Sequence, residues 1–504
     1  MGTLRDFVKV LWKFNPELGP LNLDSSDDGR KVWIVPDDKS GLFELQRITT
    51  PNHEGRRTDF FELYYADLLN ESPIRNFWRW LQRLLLISPS DVPTRMRLPW
   101  TVFWVLSLVA FAMFVSITLS IPELIHANWL EVVVEPRAWP GLLIGGLALL
   151  VLLLPKFLGS LRALSSVSPP FIVAVIGVAI MEVFWQHAVA WTLIALLGML
   201  YMADQFLLPY FGDAANYFSV RTDTVQRRQV VRDRGLRLLR ALHDDPLYDR
   251  VVIIGHSLGS ILAYDLLHIL WRQVGPTKDN PPDPEAVAAL EAIDALTASR
   301  PAGQWSTADV EEYQTLQWRA FDALRTQHAR RPSGHVAATP AGWKISDFVA
   351  LGSPLSSAQF LLTESSSDFI RMKKERALPT APPQPYDERH FALYPDAAQG
   401  TVTHHAAVFS TVRWTNIYDQ FDSPLFLLGD PIGGPVSGID RFGDAVLDLN
   451  VEIRWGRYRS RFFTHNYYWT ETGASAASPS DHIKALRKAV GINRLPPEPH
   501  NPPP

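Results

Sequence analysis

The chain has 504 residues, a formal net charge of −4 and no cysteine. That length supports a sizeable core and more than one structural unit, and the charge supplies no global basic field for nucleic acid. The lack of cysteine excludes disulfides, thiolate metal sites and a cysteine nucleophile.

The N-terminal "GTLRDFVKVLWKF" reads as a helix rather than a secretory signal, because it has no uncharged core or small-residue cleavage site. A strand follows around "KVWIVP". In "IRNFWRWLQRLLLIS", 74–88, Arg75, Arg79 and Arg83 share one helical face while Ile74, Trp78, Leu81 and Leu85 share the other. Such a helix suits a membrane surface, or packs on a soluble domain.

Residues 100–121, 139–155, 169–185 and 188–208 are uncharged or nearly so. The first has the length, about twenty residues, that crosses a hydrocarbon layer of roughly 30 Å. These runs predict about four transmembrane helices within an insertion over 97–210. Arg75, Arg79, Arg83, Arg95 and Arg97 precede the first run; Lys156 and Arg162 lie in the second loop; Arg221, Arg227 and Arg228 follow the last. Basic segments alternate with non-basic ones, which places both flanks in the cytoplasm. No ladder of charges within the runs argues for a transporter. The expectation is an integral, multi-pass membrane protein with the bilayer as a partner and one soluble domain split into 1–96 and 211–494.

Beyond the insertion, 222–245 reads as a helix, with Val231, Leu238 and Leu242 at helical spacing. "VVIIGHSLGSILAYDLL" then runs from an apolar, β-branched strand through a tight turn into a helix. This is the setting of a nucleophile elbow, with Ser257 at the tip. Gly255 and Gly259 remove side chains where strand and helix cross, His256 lies inside the elbow, and the Leu258 N–H opens the helix toward a developing oxyanion.

A serine needs a base and a carboxylate that orients it; in this architecture they follow later strands in the order acid, then histidine. "ISDFVALGSPLS", 345–356, "VFSTVRWTNIYDQFDSPL", 408–425, and "AVLDLNVEIRW", 445–455, read as those strands. Asp422 is favoured as the acid over Asp419, which could instead cap a turn. His465, in "RFFTHNYYW", is favoured as the base over His243, His256, His404 and His405. No H-E-x-x-H, phosphate-binding loop or dinucleotide fingerprint is present, so no metal and no cofactor is expected. The stretch 275–340 is polar and reads as a lid or a surface insertion, 377–390 as a loop, and 495–504 as a disordered tail.

Together "VVIIGHSLGSILAYDLL", "LGSPL", "WTNIYDQFDSPL" and "THNYYW" resemble lipase-like and esterase-like proteins of the α/β-hydrolase fold, many of them bacterial. "DFFELYYADLL" and "YFGDAANYF" extend the resemblance to both soluble flanks. It implies an α/β class and an α/β-hydrolase fold for the flanks, which the transmembrane insertion read from the apolar runs would interrupt. It implies Ser257 as nucleophile, His465 as base and Asp422 as acid, and supplies no substrate; a lipid or other acyl ester is expected from the nearness of the apolar runs. With the basic segments placing both flanks in the cytoplasm, and many such proteins being bacterial, the expected location is a bacterial inner membrane with the catalytic part cytoplasmic. Relatives usually begin with an apolar strand ending in His-Gly, whose loop supplies a second oxyanion donor. No His-Gly lies near the N-terminus here. The alternative expectation is therefore a catalytically impaired membrane scaffold with a hydrolase fold.

Overall fold

The computed structural model describes residues 2–13, 33–41, 45–50, 57–69, 101, 104, 222–276, 281–326, 342–363, 365–396, 400–420, 428–457, 459–471 and 479–492. The chain divides into two compact units, Met1–Glu71 with Asn216–Pro504, and Ser72–Ala215. In the second unit only Thr101 and Trp104 are described, both helical.

The first unit runs α1 (Gly2–Lys13), β1 (Trp33–Pro36), β2 (Gln46–Thr49), β3 (Asp59–Phe60), α2 (Ala66–Leu69), α3 (Thr222–Asp244), β4 (Val251–His256) and α4 (Leu258–Val274). It continues through α5 (Pro284–Ser299), α6 (Thr307–Thr326), β5 (Ile345–Leu351), α7 (Ala358–Leu361) and α8 (Ser366–Lys374). The last elements are β6 (Leu393–Asp396), β7 (Gly400–Thr403), β8 (Arg413–Tyr418), β9 (Leu447–Asn450) and α9 (Asp481–Val490).

A four-stranded parallel sheet organises this unit, in the order β4-β5-β8-β9. Every residue of β5 and β8 is buried, as strands covered on both faces must be. Val349, Leu351 and Ile417 face a cluster formed with Leu11 of α1 and Leu486, Ala489 and Val490 of α9. Phe348 and Trp414 face the other way, by the two-residue period of a strand. There Trp414 meets Phe348 at 5.2 Å, Tyr264 of α4 at 5.5 Å and Phe442 at 5.2 Å between ring centroids. Helices thus cover both faces, and the architecture is α/β.

At the N-terminal end of the sheet, buried Asp347 is held by Arg250 at 2.7 Å and Arg413 at 2.6 Å. The Arg413 guanidinium also stacks over Trp318 of α6 at 4.5 Å. A carboxylate this buried persists because both of its oxygens are paired. The opposite end of the sheet carries the loops described in the next subsection.

"KVWIVP" does form a strand, but β1 pairs antiparallel with β2, and β2 with β3, in a separate three-stranded sheet. The polar stretch 275–340, read as a lid or a surface insertion, forms two packed helices where it is described. Leu290 and Ile293 of α5 and Tyr313 and Phe321 of α6 are fully buried. Gln317 of α6 donates to the carbonyls of Phe409 and Val412 at 2.7 and 2.9 Å, which ties the helix to the chain entering β8. Not all of the polar residues face outward, since Asp294, Thr297 and Gln317 are buried as well.

The expectation of an integral multi-pass protein of a bacterial inner membrane is overturned. Among the described residues no helix is long and apolar enough to cross a membrane. The most apolar long helix, α4, has 17 residues and carries Asp265, His268 and Arg272. The longest, α3, has 23 residues but is rich in arginine. The four runs read as spans, and the amphipathic segment 74–88, lie outside the described residues apart from Thr101 and Trp104. The same holds for "YFGDAANYF" and for the tail 495–504.

Candidate functional site

Ser257 stands between the last residue of β4 and the first of α4, with φ 52° and ψ −128°. A non-glycine residue at positive φ carries strain that the surroundings must hold. Here the Ser257 N–H donates to the Leu351 carbonyl at 3.0 Å, and the Ser257 carbonyl accepts from the Ser260 N–H at 2.9 Å and the Ser260 hydroxyl at 2.6 Å. The Ser260 hydroxyl also meets that of Ser353, 2.6 Å away across the end of β5. The backbone of the turn is thus tied on both sides, and the Ser257 side chain remains partly exposed.

The two elbow glycines differ in what they permit. A Cβ on Gly255 would lie 2.5 Å from the Cα of Ser260, a backbone clash that only glycine avoids. A Cβ on Gly259 would meet only the Tyr65 hydroxyl, at 3.4 Å. The close crossing of strand and helix is therefore the work of Gly255. Leu258 is buried as the first residue of α4, so its N–H is one of the donors a helix cannot satisfy internally.

His465 lies in a 3-10 turn, Thr464–Asn466, after β9, and is 1 % exposed. The carboxylate that it meets is Asp430. Nδ1–H of His465 donates to both Asp430 oxygens at 3.0 Å. Asp422, the expected acid, falls in 421–427, outside the described residues. Asp419, its rival, accepts instead from Arg461 at 2.6 Å, the Thr464 hydroxyl at 2.8 Å and the Ile453 N–H at 3.2 Å. It is fully buried, and that burial raises its pKa against the pull of Arg461 and Thr464. Asp419 therefore braces the turn that carries His465 without touching the imidazole.

The backbone explains why Asp430 reaches the histidine. Gly429 N–H donates to the Arg461 carbonyl at 2.7 Å, Thr464 N–H to the Gly429 carbonyl at 3.1 Å, and Asp430 N–H to the Asp419 carbonyl at 3.2 Å. These bonds clamp the loop after β8 against the segment leading to His465. The carboxylate then fits between two glycines. A Cβ on Gly352, at φ 53°, would come within 2.6 Å of Asp430 Oδ2, and one on Gly433 within 2.5 Å.

Asp430 also accepts from the Tyr468 hydroxyl at 2.6 Å and the Ile432 N–H at 2.8 Å. Burial works to raise its pKa. The charge on His465 and the hydrogen bonds from His465, Tyr468 and the Gly433 backbone outweigh that and hold it at about 2. The carboxylate stays ionised and accepting, the state in which it can fix the tautomer of a histidine.

His256 joins the serine to this group. Its ring is centred 4.7 Å from that of His465 and 4.9 Å from that of Trp469. Burial and then the neighbouring His465 push its pKa down to about 3. It is therefore neutral, and its Nε2–H donates to the His465 carbonyl at 2.7 Å. The residue before Ser257 holds the main chain of the histidine, a role its position inside the elbow motif did not disclose.

The other histidines lie elsewhere. His243 bonds the Leu239 carbonyl, and His404 bonds the Phe391 carbonyl and the Ala406 N–H. Among the described residues no group of three or more His, Cys, Asp or Glu side chains could hold a metal ion. Chemically, the site offers a strained serine at a helix N-terminus and, linked to it through the preceding His256, a buried histidine whose Nδ1 is committed to a carboxylate. Comparison with protein-family models, with curated proteins and with solved structures gave no match.

Proposed function

We propose that this chain is a serine hydrolase that cleaves acyl esters, with Ser257 as nucleophile, His465 as general base and Asp430 as the orienting carboxylate. One observation carries the reading: buried His465 commits Nδ1 to Asp430, on loops that follow successive parallel strands, and its main chain is bonded by His256, the residue before a serine held at positive φ. The order of nucleophile, acid and base along the sheet is that of the α/β-hydrolase proteins the sequence resembles.

In this mechanism Ser257 Oγ attacks the ester carbonyl while His465 Nε2 takes its proton. The negative charge on the carbonyl oxygen faces the N-terminus of α4 and the Leu258 N–H. The imidazolium, stabilised by Asp430, returns the proton to the leaving alcohol as the carbon–oxygen bond breaks. Water, deprotonated by the same histidine, then releases the acid and regenerates Ser257.

A fluorophosphonate probe tests the assignment directly. The intact protein is expected to label, and Ser257→Ala to lose the label while keeping its fold. Labelling that survives Ser257→Ala removes the nucleophile. A folded wild-type protein that neither labels nor hydrolyses short acyl esters supports the scaffold alternative instead.

A further inference from the structure

We propose that Tyr468 is a positioning residue that sets the charge Asp430 presents to His465, and so the pH range over which the histidine acts as a base. The inference rests on the hydrolase reading above and deepens it.

Tyr468 lies three residues after His465 and is 1 % exposed. Its hydroxyl has two partners, which fix its orientation. It accepts from the Asp419 N–H at 3.1 Å, so its proton is directed away from that group and donated to Asp430 Oδ2 at 2.6 Å. Burial and the adjacent Asp430 push the phenol pKa well up, so the proton stays on the oxygen. A hydroxyl that accepts from a main-chain N–H and is buried to this degree cannot turn to another acceptor.

The surroundings are shaped around the pair. A Cβ on Gly352 would lie 2.7 Å from Tyr468 Cε2, and a Cβ on Gly433 would lie 2.9 Å from its hydroxyl. Gly352 also sits at the end of β5, next to the residue whose carbonyl accepts from Ser257. Two side chains are thus omitted where the phenol and the carboxylate approach. Ordinary core filling would not require this, since the neighbouring Tyr467 fills its place by stacking on Trp455 at 4.4 Å.

The chemical consequence has a definite sign. A short hydrogen bond to a carboxylate withdraws negative charge from it. With Tyr468 donating, Asp430 stabilises an imidazolium less than a bare carboxylate would, and His465 stays available as a base to lower pH. The groups facing Asp430 are His465, Tyr468 and the N–H groups of Ile432 and Gly433. Asp419, already tied to Arg461, and the neutral ring of His256, 5.9 Å from Tyr468, complete the set.

The test is the pH profile of kcat/KM for a short acyl ester, measured on the whole chain with Tyr468→Phe. Loss of the hydroxyl is expected to move the acid limb to higher pH by about half a unit. It is expected to leave plateau kcat no lower than about half of wild type and KM within about twofold, since a barer carboxylate stabilises the imidazolium at least as well. Tyr467→Phe, at the stacked tyrosine, is expected to match wild type. Replacing Tyr468 with a ring-fluorinated tyrosine strengthens the donor without changing shape, and is expected to move the limb to lower pH. This second variant decides the matter if Tyr468→Phe does not fold. An acid limb unmoved by either variant overturns the inference, even if kcat falls, because a merely structural tyrosine would leave the limb in place. Failure of the hydrolase reading looks different: the wild type itself would show no Ser257-dependent turnover, whatever residue 468 is.

Discussion

Asparagine at position 430 tests the assignment of the acid most sharply. Asp430→Asn keeps the shape of the side chain but turns one acceptor oxygen into an NH₂ donor. Asp430 faces donors on every side: His465 at 3.0 Å, Tyr468 at 2.6 Å and the Ile432 N–H at 2.8 Å. Either amide orientation therefore sets a donor against a donor in a fully buried place, at a cost of about 1–3 kcal/mol. An NH₂ group turned to His465 favours the tautomer whose proton sits on Nε2, where it cannot accept from Ser257. An amide oxygen turned to it supplies no charge for the imidazolium. The rate should fall roughly 10³–10⁴-fold, about 4–5 kcal/mol of transition-state stabilisation. Stability changes in step. The folded pKa of Asp430 is held at about 2, below its ordinary 3.8. The carboxylate thus contributes stability above pH about 4 that is lost as pH falls toward 2, on the order of 2 kcal/mol. Asp430→Asn should lack that contribution at neutral pH and melt several degrees lower. The assay is turnover of a short acyl ester together with the rate of fluorophosphonate labelling, with Asp422→Asn in parallel. Asp422→Asn is expected to stay within about twofold of wild type, because Nδ1 of His465 is already committed. Near-normal activity in Asp430→Asn, with loss of activity in Asp422→Asn, would refute the reasoning.

The elbow makes two further predictions. Gly255→Ala should unfold the turn or abolish activity, since its methyl would lie 2.5 Å from backbone, whereas Gly259→Ala should keep most activity, its methyl meeting only the Tyr65 hydroxyl at 3.4 Å. Equal damage from both substitutions would contradict that distinction. Ser257→Gly should melt above Ser257→Ala, by about 1 kcal/mol, because glycine relieves the strain of φ 52° and alanine keeps it; the two melting curves decide it. Finally, His243, His256 and His404 have pKa values pushed down to about 4, 3 and 4 by burial. The unfolded chain takes up their protons near pH 6.5 and the folded one does not, so stability should fall as pH drops from about 6.5 toward 4. His256→Gln should flatten that slope in chemical denaturation series at stepped pH, and an unchanged slope would show that His256 is not buried as the neutral form.

How much of this was legible in the sequence depended on whether a feature was local. The strands β4 and β5 announce themselves by continuous apolar runs, "VVII" and "FVAL"; β5 is buried throughout, whereas residues 252–254 of β4 are half-buried. The elbow was legible for the same reason, and so was His465 as a late-strand histidine. Helix α3 was expected over 222–245 and spans Thr222–Asp244. The sense of the three-stranded sheet was not legible, since a short run like "KVWIVP" says strand but not with which partner. The packing of α5 and α6 was not legible, because composition indicates a helix but not what it packs against. Asp430 was missed for a more instructive reason. "DQFDSPL" places acids directly after an evident strand, whereas Asp430 lies farther on, in "LLGDPIGGP", past the nearer acids Asp419 and Asp422. What brings it to His465 is the clamp between 428–430 and 461–464, a pairing across more than thirty residues that no local pattern encodes. Yet a weak signal was present. Gly352 and Gly433 are both glycines that the carboxylate requires, one in "LGSPL" and one in "DPIGGP". A buried carboxylate needs donors close on every side, and here a Cβ on Gly352 or Gly433 would intrude on the space that Asp430 Oδ2 occupies. A glycine just past a strand, matched by a Gly-Asp-Pro-x-Gly-Gly turn in a later loop, is thus a physical indication of an acid site, even where a different aspartate stands nearer the strand.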